Sequence, residues 1–181
     1  SGAVGDSLTI KTSEATVVAD DVLGTLNFQA PSEGSGTDSV LVGAAIKGVA
    51  EGTFAADSNA TSLHFLSASS AAAGTDGGRM IFTSNGQLYV KDLDTGAGSS
   101  SQLILQSGDI DIAADDMLGS INFQAPDEGA GTDAVLVAAG IEAVSEGDFA
   151  ADNNATKLSF KTGASETAAE KMSLSSAGLL T

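Results

Sequence analysis

The chain has 181 residues and a formal net charge of −17, from 24 acidic side chains against 7 Lys and Arg. Such a surface repels phosphate backbones and anionic lipid, so no nucleic-acid partner and no membrane partner is expected, and no apolar run is long enough to cross a bilayer as a helix. Cysteine is absent, which excludes disulfides, a thiolate nucleophile and Cys-ligated metal. Hydrophobic residues make up 42% but aromatics only 4%, with no Trp and one Tyr, so any core is thin.

The stretch Leu8 to Leu66 reads again, without a gap, as Leu103 to Lys161; about 33 of roughly 59 aligned positions are identical. Asp20-Asp21-Val22-Leu23-Gly24 returns as Asp115-Asp116-Met117-Leu118-Gly119, and Phe54-Ala55-Ala56-Asp57 as Phe149-Ala150-Ala151-Asp152. The repeat predicts two tandem units. Residues 1–93 form the first β repeat unit, 94–102 a Gly/Ser-rich linker, and 103–181 the second unit, truncated at its C-terminal hairpin. The start at Ser1-Gly2, without Met, reads as a processed chain or a fragment.

The apolar period is mostly two. Leu26, Phe28 and Ala30 point one way while Thr25, Asn27 and Gln29 point the other, the alternation of a half-buried strand. Ile121, Phe123 and Ala125 copy it. Val42, Ala44 and Ile46 alternate with Gly43, Ala45 and Lys47. The Ala-rich stretch from Ala44 to Ala56 admits a short helix, but Gly48 and Gly52 oppose one and a strand is expected. Leu63 and Phe65 flank His64, as Leu158 and Phe160 flank Ser159. Arg79 to Ser84, Asn85-Gly86, and Gln87 to Val90 read as a hairpin with a type I′ turn. Its counterpart runs from Lys171 to Leu180. The predicted buried set is Leu26, Phe28, Phe65, Ile121, Phe123 and Phe160.

Candidate chemistry is sparse. The one histidine, His64, is replaced by Ser159 in the second copy and reads as a solvated side chain. Paired carboxylates at Asp20/Asp21 could in principle hydrolyse glycans, but neighbours on a strand face opposite sides. Acidic positions recur: Asp20-Asp21 with Asp115-Asp116, Glu33 with Glu128, Asp38 with Asp133, and Asp57/Asn59 with Asp152/Asn154. Oxygen-rich turns can hold Ca²⁺, yet no EF-hand spacing or Gly-rich nonapeptide is present, and Asx turns are the simpler reading. Asn59-Ala60-Thr61 and Asn154-Ala155-Thr156 match the N-glycosylation sequon and read as turn chemistry. No catalytic, cofactor-binding or metal residue is assigned, no cofactor is expected, and the chain reads as not an enzyme.

The order Leu-Gly-x-Leu/Ile-x-Phe, an Ala-x-Ile strand, Leu-x-Phe, Arg/Lys-Met and a Ser-x-Gly turn resembles the repeat modules of tailed-bacteriophage fibres and virion appendages. It is carried by Leu23-Gly24-Thr25-Leu26-Asn27-Phe28, Ala44-Ala45-Ile46, Leu63-His64-Phe65, Arg79-Met80 and Ser84-Asn85-Gly86. The second copy supplies Leu118-Gly119-Ser120-Ile121-Asn122-Phe123, Ala139-Gly140-Ile141, Leu158-Ser159-Phe160, Lys171-Met172 and Ser176-Ala177-Gly178. The resemblance implies an all-β fold: two tandem homologous β-rich repeat units forming an elongated, homotrimeric fibre segment. It implies a virion localisation, other virion proteins as partners, and a stiff spacer supporting host attachment. Receptor-binding tips lean on Trp and Tyr, so receptor contact is expected outside this segment. The alternative is a bacterial surface or secreted adhesin of tandem β-sandwich repeats stabilised by Ca²⁺.

Overall fold

A computed structural model of the chain describes residues 5–31, 38–68, 79–92, 98–126 and 131–181. The fold is all-β. The chain divides into two units, Ser1–Leu103 and Ile104–Thr181.

Unit 1 holds one antiparallel sheet in the order β1 (Val22–Gln29), β2 (Val42–Ala50), β3 (Thr61–Ser67), β4 (Met80–Phe82) and β5 (Leu88–Val90). Unit 2 holds β6 (Met117–Gln124), β7 (Val137–Ser145), β8 (Thr156–Thr162) and β9 (Ala169–Leu174), again in sequential antiparallel order. Sequential order follows from short connections, which favour antiparallel neighbours. Within each unit the described strands make one sheet rather than two facing ones, so the sandwich expected for an adhesin is not what these residues build.

The registers correspond position by position. Leu26 opposes Ile46 and Ile46 opposes Phe65; Ile121 opposes Ile141 and Ile141 opposes Phe160. The same irregularity falls between Val22 and Gly24 and between Met117 and Gly119. The Ala-rich stretch is strand over Val42–Ala50, followed by a turn closed by Ala55 N–H to the Ser58 carbonyl at 2.9 Å.

Some local expectations change. The Asn85-Gly86 hairpin is not a type I′ turn, because only Gly86 takes positive φ (81°). Gly86 N–H bonds the Thr83 carbonyl at 3.1 Å and Thr83 N–H bonds the Gln87 carbonyl at 3.0 Å, a three-residue loop ending in a left-handed glycine. The second hairpin uses the same scheme at Ser175, Gly178 and Leu179 and pairs Leu174 with Leu180. Two short 3-10 turns, Asp38–Val40 and Asp133–Val135, carry no signal in the apolar pattern. They are tied to the strand ends by Gln29 Nε2 and Gln124 Nε2, which donate to the Val40 and Val135 carbonyls. Of the expected linker 94–102, residues 94–97 lie outside the described residues. The rest folds back: Asp92 N–H bonds Ser101 Oγ at 2.7 Å, and Ser100 N–H bonds Asp92 Oδ2 at 3.1 Å.

Candidate functional site

Directly opposed residues of an antiparallel sheet share a face. In unit 1 one row is Leu26, Ile46, Phe65, Met80 and Val90, and the next is Gly24, Gly48, Leu63, Phe82 and Leu88. In unit 2 the matching rows are Ile121, Ile141, Phe160 and Met172, then Gly119, Ala143, Leu158 and Leu174. Both sheets therefore carry one largely apolar face, as the alternation predicts.

The large side chains of that face are not fully buried. Leu26 is 45% exposed, Phe28 52%, Ile121 47% and Phe123 55%, while Phe65 and Phe160 are partly covered. The fully buried apolar side chains are instead mostly small: Ala45, Val49, Ala50, Leu66, Val144 and Ala168, with Ser62, Ser145, Ser159 and Ser173 beside them. The expected burial of Leu26, Phe28, Ile121 and Phe123 is thus not met within a single chain. The physical reason is layering. Within its own unit each apolar face has no second sheet among the described residues to lie over it.

What does lie there is a segment without regular secondary structure ahead of each sheet, a strap across it. A Cβ added at Gly24 would meet Ile10 Cγ2 at 2.7 Å and the Ile10 carbonyl oxygen at 2.9 Å; one added at Gly119 would meet Leu105 Cβ at 2.9 Å. Glycine at these positions is a slot for a crossing chain. A shallow groove beside the first slot is lined by Ile10, Leu26, Ile46 and Leu63.

The opposite face carries the polar rows. In unit 1 Thr25, Lys47, His64, Ile81 and Tyr89 align; in unit 2 Ser120, Glu142, Ser159 and Ser173 align. His64 is half-buried rather than solvated, with Nε2 2.8 Å from Ser62 Oγ. Burial, then the nearby Lys47 and Lys91 ammonium groups, hold its pKa below 6.5. Ser62 and His64 make a nucleophile–base pair on paper. However, Ser62 is 4% exposed, its hydroxyl also reaches the Val49 carbonyl at 3.3 Å, and His64 Nδ1 has no partner to orient the ring. Ion pairs on these sheets are Lys161–Glu142 at 3.0 Å, Lys157–Glu170 at 3.0 Å and Arg79–Asp92 at 3.4 Å.

The recurrent acids make turns. Asp20 and Asp115 take φ of 71° and 70°. Asp21 Oδ2 accepts from Val18 N–H and Asp116 Oδ2 from Ala113 N–H, both at 2.7 Å. Glu51 accepts from Ser84 N–H at 3.2 Å, and Glu146 from Ser176 N–H at 2.9 Å, so each glutamate holds the tip of its unit's hairpin. Hydrogen bonds from Ser176, hydroxyl first and then backbone, keep the Glu146 carboxyl below its usual range. Thr61 and Thr156 hydroxyls donate to the Asn59 and Asn154 carbonyls at 2.9 and 3.0 Å, closing the turns that match the sequon. Glu33 and Glu128 lie outside the described residues, and of the Asp38 and Asp133 pair each sits in a 3-10 turn. Among the described residues no three His, Asp or Glu side chains gather as a metal site.

No protein-family model and no curated protein matches the sequence. Similar solved structures include two of the carboxy-terminal domain of the bacteriophage T5 L-shaped tail fibre. The one that includes its intramolecular chaperone domain is 13% identical with a TM-score of 0.41, over 100% of this chain and 59% of that chain. The other is 14% identical with a TM-score of 0.37, over 100% of this chain and 86% of that one. This chain therefore spans 59% of the first neighbour's length.

Proposed function

We propose that the chain is a non-enzymatic structural segment of a bacteriophage virion fibre, in a tail fibre or appendage shaft. It serves as a stiff spacer that supports host attachment from the particle surface. It works as a homotrimer joined to other virion proteins, and receptor contact lies outside residues 1–181. The two tandem units each supply one stretch of the spacer.

The observation that supports this reading is the uncovered apolar face, present at matching positions in both units. Each half-exposed Leu, Ile or Phe gains about 1 kcal/mol on completing its burial, so a whole face supplies several kcal/mol for association. Thin units that leave such faces open are completed by copies of themselves, and closed rotational symmetry covers every copy equally. The number three comes from the resemblance of the sequence pattern to fibre repeats. The acids fit a spacer too: Asp21, Asp116, Glu51 and Glu146 brace turns and hairpins rather than converging on a cleft.

Light scattering at low and at physiological salt tests the proposal. A mass of three chains at both is expected. A one-chain mass at both overturns it.

A further inference from the structure

The two hairpins share a scheme but not a tip. In unit 1 the loop is Ser84-Asn85-Gly86, and in unit 2 it is Ser176-Ala177-Gly178, each ending in a glycine of positive φ, 81° and 79°. Asn85 is the one asparagine in the sequence that a glycine follows; the others precede Phe28, Ala60, Phe123, Asn154 and Ala155. Glycine leaves its backbone nitrogen unhindered, and nothing lies within 4 Å of the place a Cβ would take at Gly86.

The Asn85 side chain is exposed, and its carboxamide oxygen accepts from the Thr83 hydroxyl. A donor on that oxygen stabilises the negative charge that forms there when Cγ is attacked. The Gly86 N–H is tied to the Thr83 carbonyl at 3.1 Å, so the nitrogen is released only when the loop opens. This hairpin opens readily. β4 and β5 have three residues each, and Leu88, Tyr89 and Val90 on the sheet edge are all exposed.

We propose that Asn85 is a self-modifying site, where the hairpin of unit 1 converts to an aspartyl or isoaspartyl tip with water as the only co-reactant. The Gly86 nitrogen gives its proton to solvent and attacks Asn85 Cγ. The N–Cγ bond forms, the Cγ–Nδ2 bond breaks, and Nδ2 takes a proton and leaves as ammonia. Water then opens the cyclic imide. Attack at Cγ leaves an aspartate in an intact backbone. Attack at the backbone carbonyl carbon routes the main chain through Cβ and Cγ, as an isoaspartyl link. Either product sets a carboxylate next to Ser84, whose N–H Glu51 already holds at 3.2 Å, and like charges at short range repel. The isoaspartyl link also adds a methylene to a loop whose length fixes its turn. The bonds from Gly86 N–H to Thr83 and from Thr83 N–H to Gln87 are then lost. Unit 2, with Ala177 at the tip, keeps its hairpin.

Incubation of the full chain at mildly alkaline pH, with mass spectrometry of the tryptic peptide Met80–Lys91, tests the site. The mass gain of amide becoming acid is expected at Asn85, about tenfold more slowly in the folded chain than in the chain unfolded by urea. A folded chain unchanged after the unfolded one has fully converted overturns the proposal, as does a gain that fragmentation places at Gln87. Hydrogen exchange on the separated isoaspartyl fraction tests the consequence. The Thr83 and Gly86 amides should lose protection while those of Ser175 and Gly178 keep theirs, and retained protection at Thr83 and Gly86 overturns the effect on the hairpin. Asn85→Ala, which copies Ala177, should hold its hairpin through the same incubation; loss of protection in that variant overturns modification as the cause.

Discussion

The two units agree on one sheet face and differ on the other. The apolar rows run Leu26–Ile46–Phe65–Met80 in the first and Ile121–Ile141–Phe160–Met172 in the second, the same kind of side chain at every place. On the reverse face Lys47 stands where Glu142 stands, and His64 where Ser159 stands. The glycine slots, the left-handed aspartates and the glutamates that hold the hairpins match as well. What is held in common is therefore whatever shapes the sheet and its open face. The polar face accommodates the reversal because the half-buried Glu142 has its own partner there, Lys161 at 3.0 Å.

The largest test of this division is at the apolar face. Phe28→Ala and Phe123→Ala should each cost about 3–5 kcal/mol in the assembled protein, where the rings are enclosed. In single chains, with the rings half in water, each should cost about 1 kcal/mol. Denaturant unfolding above and below the association concentration separates the two, and an equal cost at both concentrations breaks the comparison. Next come the slots. Gly24→Ala and Gly119→Ala should cost about 1–3 kcal/mol through overpacking. Gly24 should suffer more, since its new methyl meets a backbone carbonyl at 2.9 Å, whereas at Gly119 it meets a side-chain carbon at the same distance. Thermal melts that rank them in reverse would remove the straps from the shared scaffold.

Smaller effects follow in the turns and on the polar face. Asp20→Gly and Asp115→Gly should each stabilise by about 1 kcal/mol, because glycine adopts positive φ without the Cβ clash; unequal gains would mean that the turns are not equivalent. His64 marks the smallest difference. Its folded pKa lies below 6.5, so the folded state favours the neutral ring. Its contribution is complete above that value and is lost as pH falls through the folded pKa. His64→Ser, which copies Ser159, should abolish this loss, and an NMR titration of the ring placing its pKa above 6.5 would reverse the sign. Glu146 acts in a lower window: its contribution is present above 4.5 and is lost as pH falls through the depressed folded value.

Period-two alternation is enough to assign the strands and to place Leu26, Phe28, Ile121 and Phe123 on one face. It is not enough to say that this face stays open, because alternation encodes which side is apolar and not what lies against it. The buried residues are mostly alanine and serine, with Val49, Leu66 and Val144, and the burial of such small side chains leaves little trace in hydropathy. The hairpin tip departs from type I′ because Asn-Gly serves two loop lengths, and the number of residues before Gln87 decides between them. The segments ahead of the sheets are visible as Leu8 and Ile10, and as Leu103 and Leu105, but alternation alone does not show that Ile10 crosses at Gly24 and Leu105 at Gly119. The acid pairs are legible as turn chemistry, since two adjacent carboxylates rarely serve one purpose: one here sets the backbone and the other captures an amide.

The doubled apolar face also has a consequence for accuracy in assembly. Under the self-association proposed above, both units offer the same rows in the same register, so the first unit of one copy can meet the second unit of another as readily as the first. A mismatched contact of that kind would be heterologous and would not close on itself. The apolar face, alike in both units, is blind to this error. The means of telling first unit from second lie where the two differ, at Lys47 against Glu142 and His64 against Ser159, so the side chains with least to do with stability carry the information about alignment.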